Sequence, residues 1–80
     1  AMTHRPGKGQ RAILEAMAEG HELCHGRGWY LRHGGHGQRT PVDGRSAAAL
    51  RDYGYVMFDR HLALEAAARY VLTEFGKAAL

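Results

Sequence analysis

The stretch GRSAAALRDYGYV (residues 44–56), with YVLTEFGKAAL (residues 70–80) behind it, decides the fold. Ala47, Ala48 and Ala49 are strong helix formers, Asp43 stands where a carboxylate can cap free amides, and Gly54 follows as a terminator. A helix is therefore predicted from residue 43 or 44 to about residue 53. Leu50 is its anchor on the core, and Gly54 supplies the positive φ that turns the chain into a strand. Tyr55, Val56, Met57 and Phe58 read as that strand, and residues 69–72 as its partner, with Tyr70 and Leu72 alternating inward. Thr73 is a good N-cap for a closing helix over residues 74–80, and Glu74 sits at its positive end. Residues 59–68 fit either a helix or a long hairpin loop.

Upstream, residues 10–19 place Ala12, Ile13, Ala16 and Met17 on one face and Gln10, Arg11, Glu15 and Glu19 on or near the other, the period of an amphipathic helix that Gly20 ends. Between residues 21 and 42 the period changes. Six of the eleven glycines fall between Gly26 and Gly44, a density no stable helix tolerates. Trp29, Tyr30 and Leu31 prefer a strand, residues 33–37 read as a turn, and residues 38–42 pair back as a second strand. Pro41 lacks an amide hydrogen, so that strand is short or lies at a sheet edge.

Leu50, Gly54 and Val56, followed by Tyr70, Leu72, Thr73, Gly76, Lys77 and Leu80, form a pattern that resembles the winged helix-turn-helix family over residues 42–80. Members often show a recognition helix ending in a Leu-x-x-x-Gly-aliphatic step. A two-stranded wing follows, then a Tyr-x-Leu-Thr-x-x-Gly-(Lys/Arg)-x-x-Leu segment. The departure lies at residues 21–42, where a standard member has a second helix and the glycines here argue for a hairpin. The resemblance implies an α+β, small winged-helix-like domain of order α-β-β-α-β-β-α over residues 10–80. Residues 1–9 are read as a flexible arm in which Ala1 is a cloning remnant. It also implies a DNA-binding regulator of transcription with double-stranded DNA as its partner.

Charge supports the same direction. Eleven Lys and Arg against eight Asp and Glu give a net charge of +3, unevenly spread. Residues 24–42 hold no acid but carry Arg27, Arg32, Arg39, His25, His33 and His36, whereas the chain from Ser46 onward is neutral. A positive stretch on a neutral body suits a polyanion. The predicted recognition helix offers Arg45, Ser46 and Arg51 beside three alanines and Asp52, a poor head for reading base edges. Contacts to backbone phosphates are expected from Arg39, Thr40, Arg45 and Arg51, with Arg32 and Arg60 at the edges and Lys8 and Arg11 in front. The helix start at Gly44 is a further place for a phosphate, opposed by Asp43 if that residue caps.

Other readings compete with this one. His21, Cys24, His33 and His36 stand at spacings that suit zinc, although His33 to His36 is also an ordinary polar turn and Cys24 serves equally as a small buried apolar residue. Catalysis has no support: there is no paired carboxylate in an evident cleft, no Ser-His-Asp arrangement and no phosphate loop. No cofactor is expected. The principal rival is a protein-interaction adaptor, of the kind carried by phages or mobile elements, on the same scaffold. An apolar fraction of 45% argues against disorder. With one cysteine and no membrane-length apolar run, a soluble cytoplasmic protein without a membrane partner is expected. A chain of this size buries only about 60–65% of its unfolded surface, so a homodimer covering Leu62, Leu64, Phe75 and Leu80 is also expected.

Overall fold

Helix α1 (Lys8–Ala18) forms where the 3.6-residue apolar period predicts it, and Ile13, Leu14 and Met17 are its buried residues. The Gln10 side chain accepts from the Gly7 amide at 3.3 Å, and Arg11 reaches Glu15 one turn on at 3.0 Å. The computed structural model describes residues 5–33, 37–59 and 67–80. Strands β1 (His21–His25), β2 (Trp29–His33) and β3 (Arg39–Pro41) come next, then helix α2 (Gly44–Asp52). Strands β4 (Val56–Phe58) and β5 (Ala68–Leu72) follow, and helix α3 (Glu74–Ala78) closes the chain.

The result is a mixed α+β domain on a five-stranded antiparallel sheet of order β3-β2-β1-β5-β4. Strand β3, with Pro41, is an edge strand, as the missing amide hydrogen requires. One strand was not foreseen. The segment HELCH makes β1, the central strand, so the order is α-β-β-β-α-β-β-α and not α-β-β-α-β-β-α. The glycine-rich region does form antiparallel strands in place of a helix; the expected turn at Gly34 and Gly35 lies outside the described residues.

Register decides which side chains share a face, because directly opposed residues point the same way and neighbours alternate. Leu31, Leu23 and Tyr70 stand opposite one another across β2, β1 and β5. That face carries the core: Leu14, Leu50, Ala47 and Tyr55 close over Leu23, Leu31, Val56 and Tyr70. Tyr55, Leu14, Leu23 and Leu50 are no more than 1% exposed.

The closing segment explains its own sequence pattern. Gly54 takes φ +82° after α2, and Thr73 ties the two ends of the β4–β5 unit together. The Thr73 hydroxyl donates to the Gly54 carbonyl at 2.6 Å and accepts from the Gly76 amide at 3.0 Å, while its backbone amide donates to the Tyr55 carbonyl at 3.1 Å. A side chain at Gly76 would collide with that same Tyr55 carbonyl, so only glycine allows α3 to approach this closely. Phe75 then stacks on Tyr55 with centroids 4.7 Å apart, although Phe75 stays 46% exposed.

Candidate functional site

The opposite face of the sheet has no described element packed on it, and its residues follow from the same register. Pro41, Tyr30, Cys24 and Arg69 form one row, and Arg39, Arg32 and Glu22 form the next. Glu22 lies between two guanidinium groups, 3.2 Å from Arg69 and 3.7 Å from Arg32. Cys24 sits beside this cluster and is 1% exposed. Burial pushes its thiol above the ordinary value, the Arg32 guanidinium opposing. A thiol so held is not a nucleophile at neutral pH.

At one corner of this face, chain turns and arginines meet. The guanidinium of Arg39 lies 4.9 Å from the centroid of the Tyr30 ring. Beside it runs a groove of about 450 Å³ lined by Arg27, Trp29, Tyr30, Arg39, Pro41 and Ala67, together with Gly26 and Gly28 of the β1–β2 turn. Among the described residues no acidic one lines it, because all but Ala67 come from the acid-free stretch. Round the start of β2, Trp29 falls on the helix side of the sheet with Leu31 and is held between other groups. His25 stacks on it at 4.1 Å with planes 8° apart, and the Arg51 guanidinium stands 5.7 Å from its centroid. The position where a Cβ would be on Gly44 is 3.6 Å from the same indole, so the start of α2 packs on Trp29. A second groove, about 390 Å³, includes Arg5, Arg11, Tyr55 and Phe75, but there Arg11 is already paired with Glu15.

The site residues expected from sequence divide accordingly. Arg39 is exposed at the corner described, Arg45 is exposed on the first turn of α2, and Arg51 is beside Trp29 with its Nε donating to Asp52 at 3.2 Å. Thr40 is exposed on β3 but opposes Leu31, which places it on the helix side of the sheet, away from Arg39. Arg32 faces Glu22 at 3.7 Å, with 17% of its side chain exposed. Arg60 lies outside the described residues. Ser46 serves the helix, its hydroxyl donating to Asp43 at 2.9 Å and its amide at 3.2 Å. Those bonds, with the Arg45 charge adding a little, hold the Asp43 carboxyl below its ordinary range. A carboxylate therefore occupies the amino end of α2 and opposes a phosphate at Gly44, as expected if Asp43 caps.

Sequence reasoning missed Arg27, Trp29 and Tyr30 as site residues. The signal was the aromatic pair set among arginines, read there for strand preference. Tyr55 is buried and Trp29 packs on the core's edge, whereas Tyr53 and Phe58 are 52% and 42% exposed. The candidate zinc ligands are not brought together. His21 and His33 oppose one another with ring centroids 4.9 Å apart, but Cys24, three residues along the strand, points to the other face; His36 is outside the described residues. Among the described residues no group of three or more His, Cys, Asp or Glu is placed to hold a metal ion, and no helix is long and apolar enough to cross a membrane. No known family model matches the chain, and neither does any curated protein or solved structure.

Proposed function

We propose that this protein binds nucleic acid without catalysing a reaction, by contacts to backbone phosphates and not by reading base edges. One observation carries the reading: the acid-free stretch folds so that Arg27 and Arg39 flank one groove, with Arg51 over Trp29 on the helix side of the same strand end and Arg45 exposed on the first turn of α2. Clustered guanidinium groups on a chain of net charge +3 suit a polyanion, and Arg presents planar, weakly hydrated donors to phosphate. Helix α2 followed by the β4–β5 pair and α3 supports a winged-helix-like arrangement, with α2 as the recognition helix and β4–β5 as the wing. The side chains α2 offers favour a regulator that depends on backbone contacts.

The test is binding of labelled random-sequence duplex DNA, with a single-stranded arm, at about 50 mM and about 200 mM salt, where each phosphate contact contributes about 0.9 to the salt slope on a duplex. Arg39→Ala and Arg45→Ala should each weaken binding across all sequences and flatten the slope by about one contact. No affinity for either nucleic acid at the lower salt would overturn the proposal. A protein partner is favoured by a separate observation. Met57 and Phe58, 55% and 42% exposed, lie on β4 at the edge of the sheet. An exposed edge strand can pair with a partner strand or with a second copy of this chain.

A further inference from the structure

We infer that the groove at the start of β2 takes an unpaired nucleotide, its base against Tyr30 and Pro41 and its phosphate between Arg27 and Arg39. This deepens the nucleic-acid reading above and rests on it. A closed duplex offers a protein charged ridges and keeps the flat faces of its bases stacked inside. Phosphate contacts alone need no concavity. Here the arginines instead flank a groove of about 450 Å³ with apolar walls, inside the range of about 300–1,000 Å³ that small planar ligands occupy. Of the nucleic-acid forms, an unpaired nucleotide brings both a flat apolar surface and an anion to such a place.

The residues divide the work between them. Trp29 borders the groove from the helix side of the sheet, packed by His25 at 4.1 Å with Arg51 beside it, so it is an edge of the groove and not its platform. Tyr30 is turned outward on the open face with Arg39 laid over its ring at 4.9 Å. A base can stack on that guanidinium plane or displace it to reach the phenol ring, and either position leaves the Arg39 charge beside the phosphate. At the other rim, the Gly26–Gly28 turn leaves room: a Cβ at Gly28 would meet no atom within 4 Å. Among the described lining residues there is no carboxylate to repel the anion.

The experiment uses the emission of Trp29, the only tryptophan, during titration with oligo-deoxythymidine, oligouridine and a blunt duplex of equal length. At about 200 mM salt, where pure phosphate binding is weakened, a single strand should bind at least about tenfold tighter than the duplex and change the emission. The two single-strand arms distinguish DNA from RNA as the source of the nucleotide. Tyr30→Ala should erase the preference. Gly28→Glu, which adds a side chain into open space and a charge at the rim, should do so while the thermal melt is unchanged. Equal affinity for strand and duplex, or a preference that survives Gly28→Glu, overturns this inference and leaves phosphate binding standing. Absence of binding to all three probes overturns both.

Discussion

The two faces of the sheet are made by alternate residues of the same strands, yet they are held by different physics. On the helix side, Leu23, Leu31 and Tyr70 lie under Leu14, Leu50 and Tyr55, and contacts there are apolar and close-packed. On the other side, Glu22, Cys24, Tyr30, Arg32, Arg39 and Arg69 are arranged by charge and by guanidinium–aromatic stacking. One residue of register slip would exchange the two sets, so the fold and the arginine face are fixed by a single choice. The lesson is that stability and charge display are separable in this chain, although they share every strand. Substitutions on the helix side should cost stability, and those on the open face should change anion binding.

Leu23→Ala should give the largest effect. The side chain is fully buried in the central strand, and removing it leaves a cavity worth about 2–5 kcal/mol of unfolding free energy. Urea denaturation is the measurement. An effect below that of substitutions at its neighbour Glu22 would break the assignment of faces. Thr73→Ala should cost about 1–2 kcal/mol, because it removes an N-cap and leaves the Gly54 carbonyl short of a donor. Its salt slope for nucleic acid should not change.

Much of the helix side was legible in the sequence, and the reason is local. Asp43 and Thr73 each cap the turn that follows them, accepting from Ser46 and Gly76, and Gly54 ends α2, so type and position define α2 and α3 without knowledge of the distant Gly54 carbonyl that Thr73 also meets. Strand β1 was illegible for the opposite reason. In HELCH only Leu23 faces the core and only Cys24 is apolar on the other side, so no alternation marks a strand. Its existence depends on hydrogen bonding to β2 and β5 on both sides. Without β1, nothing in the sequence could show that Arg32 and Arg69 converge on Glu22, and Arg32 was assigned to phosphate. The acid-free run was legible as charge. Its folding into a groove at Tyr30 was not, because that needs the register of three strands.

Glu22→Gln sharpens the comparison at the open face. The three side chains are only 11–27% exposed, so removing the shared counter-charge leaves two part-buried guanidinium groups uncompensated and should cost about 1–3 kcal/mol, between the exposed and the fully buried cases. The same change releases two guanidinium groups from their shared counter-charge. Nucleic-acid affinity should therefore rise and the salt slope steepen, while stability falls. A variant that loses stability and affinity together would show the cluster to be structural support for the groove.

The smallest effect is expected at Asp43, where fold and charge meet on one exposed carboxylate. Its carboxyl is held below the ordinary value of 3.8 by the Ser46 hydroxyl, and next by the Ser46 amide. A group whose pKa is depressed on folding contributes stability above its unfolded value and loses that contribution as pH falls through the folded one. The melting temperature should thus be insensitive to this residue from neutral pH down to about 4, then fall in acid. Asp43→Asn keeps an oxygen acceptor of comparable capping strength, so the melt at neutral pH should change little while the acid-dependent part shrinks. The same substitution removes the negative charge beside Arg45 at the amino end of α2, and nucleic-acid binding should tighten most at low salt. Melts across the acid range and titrations at two salt concentrations measure both halves. An acid loss equal to that of the parent protein would mean that Asp43 contributes nothing to the cap, and weaker binding would place the anion away from α2 altogether.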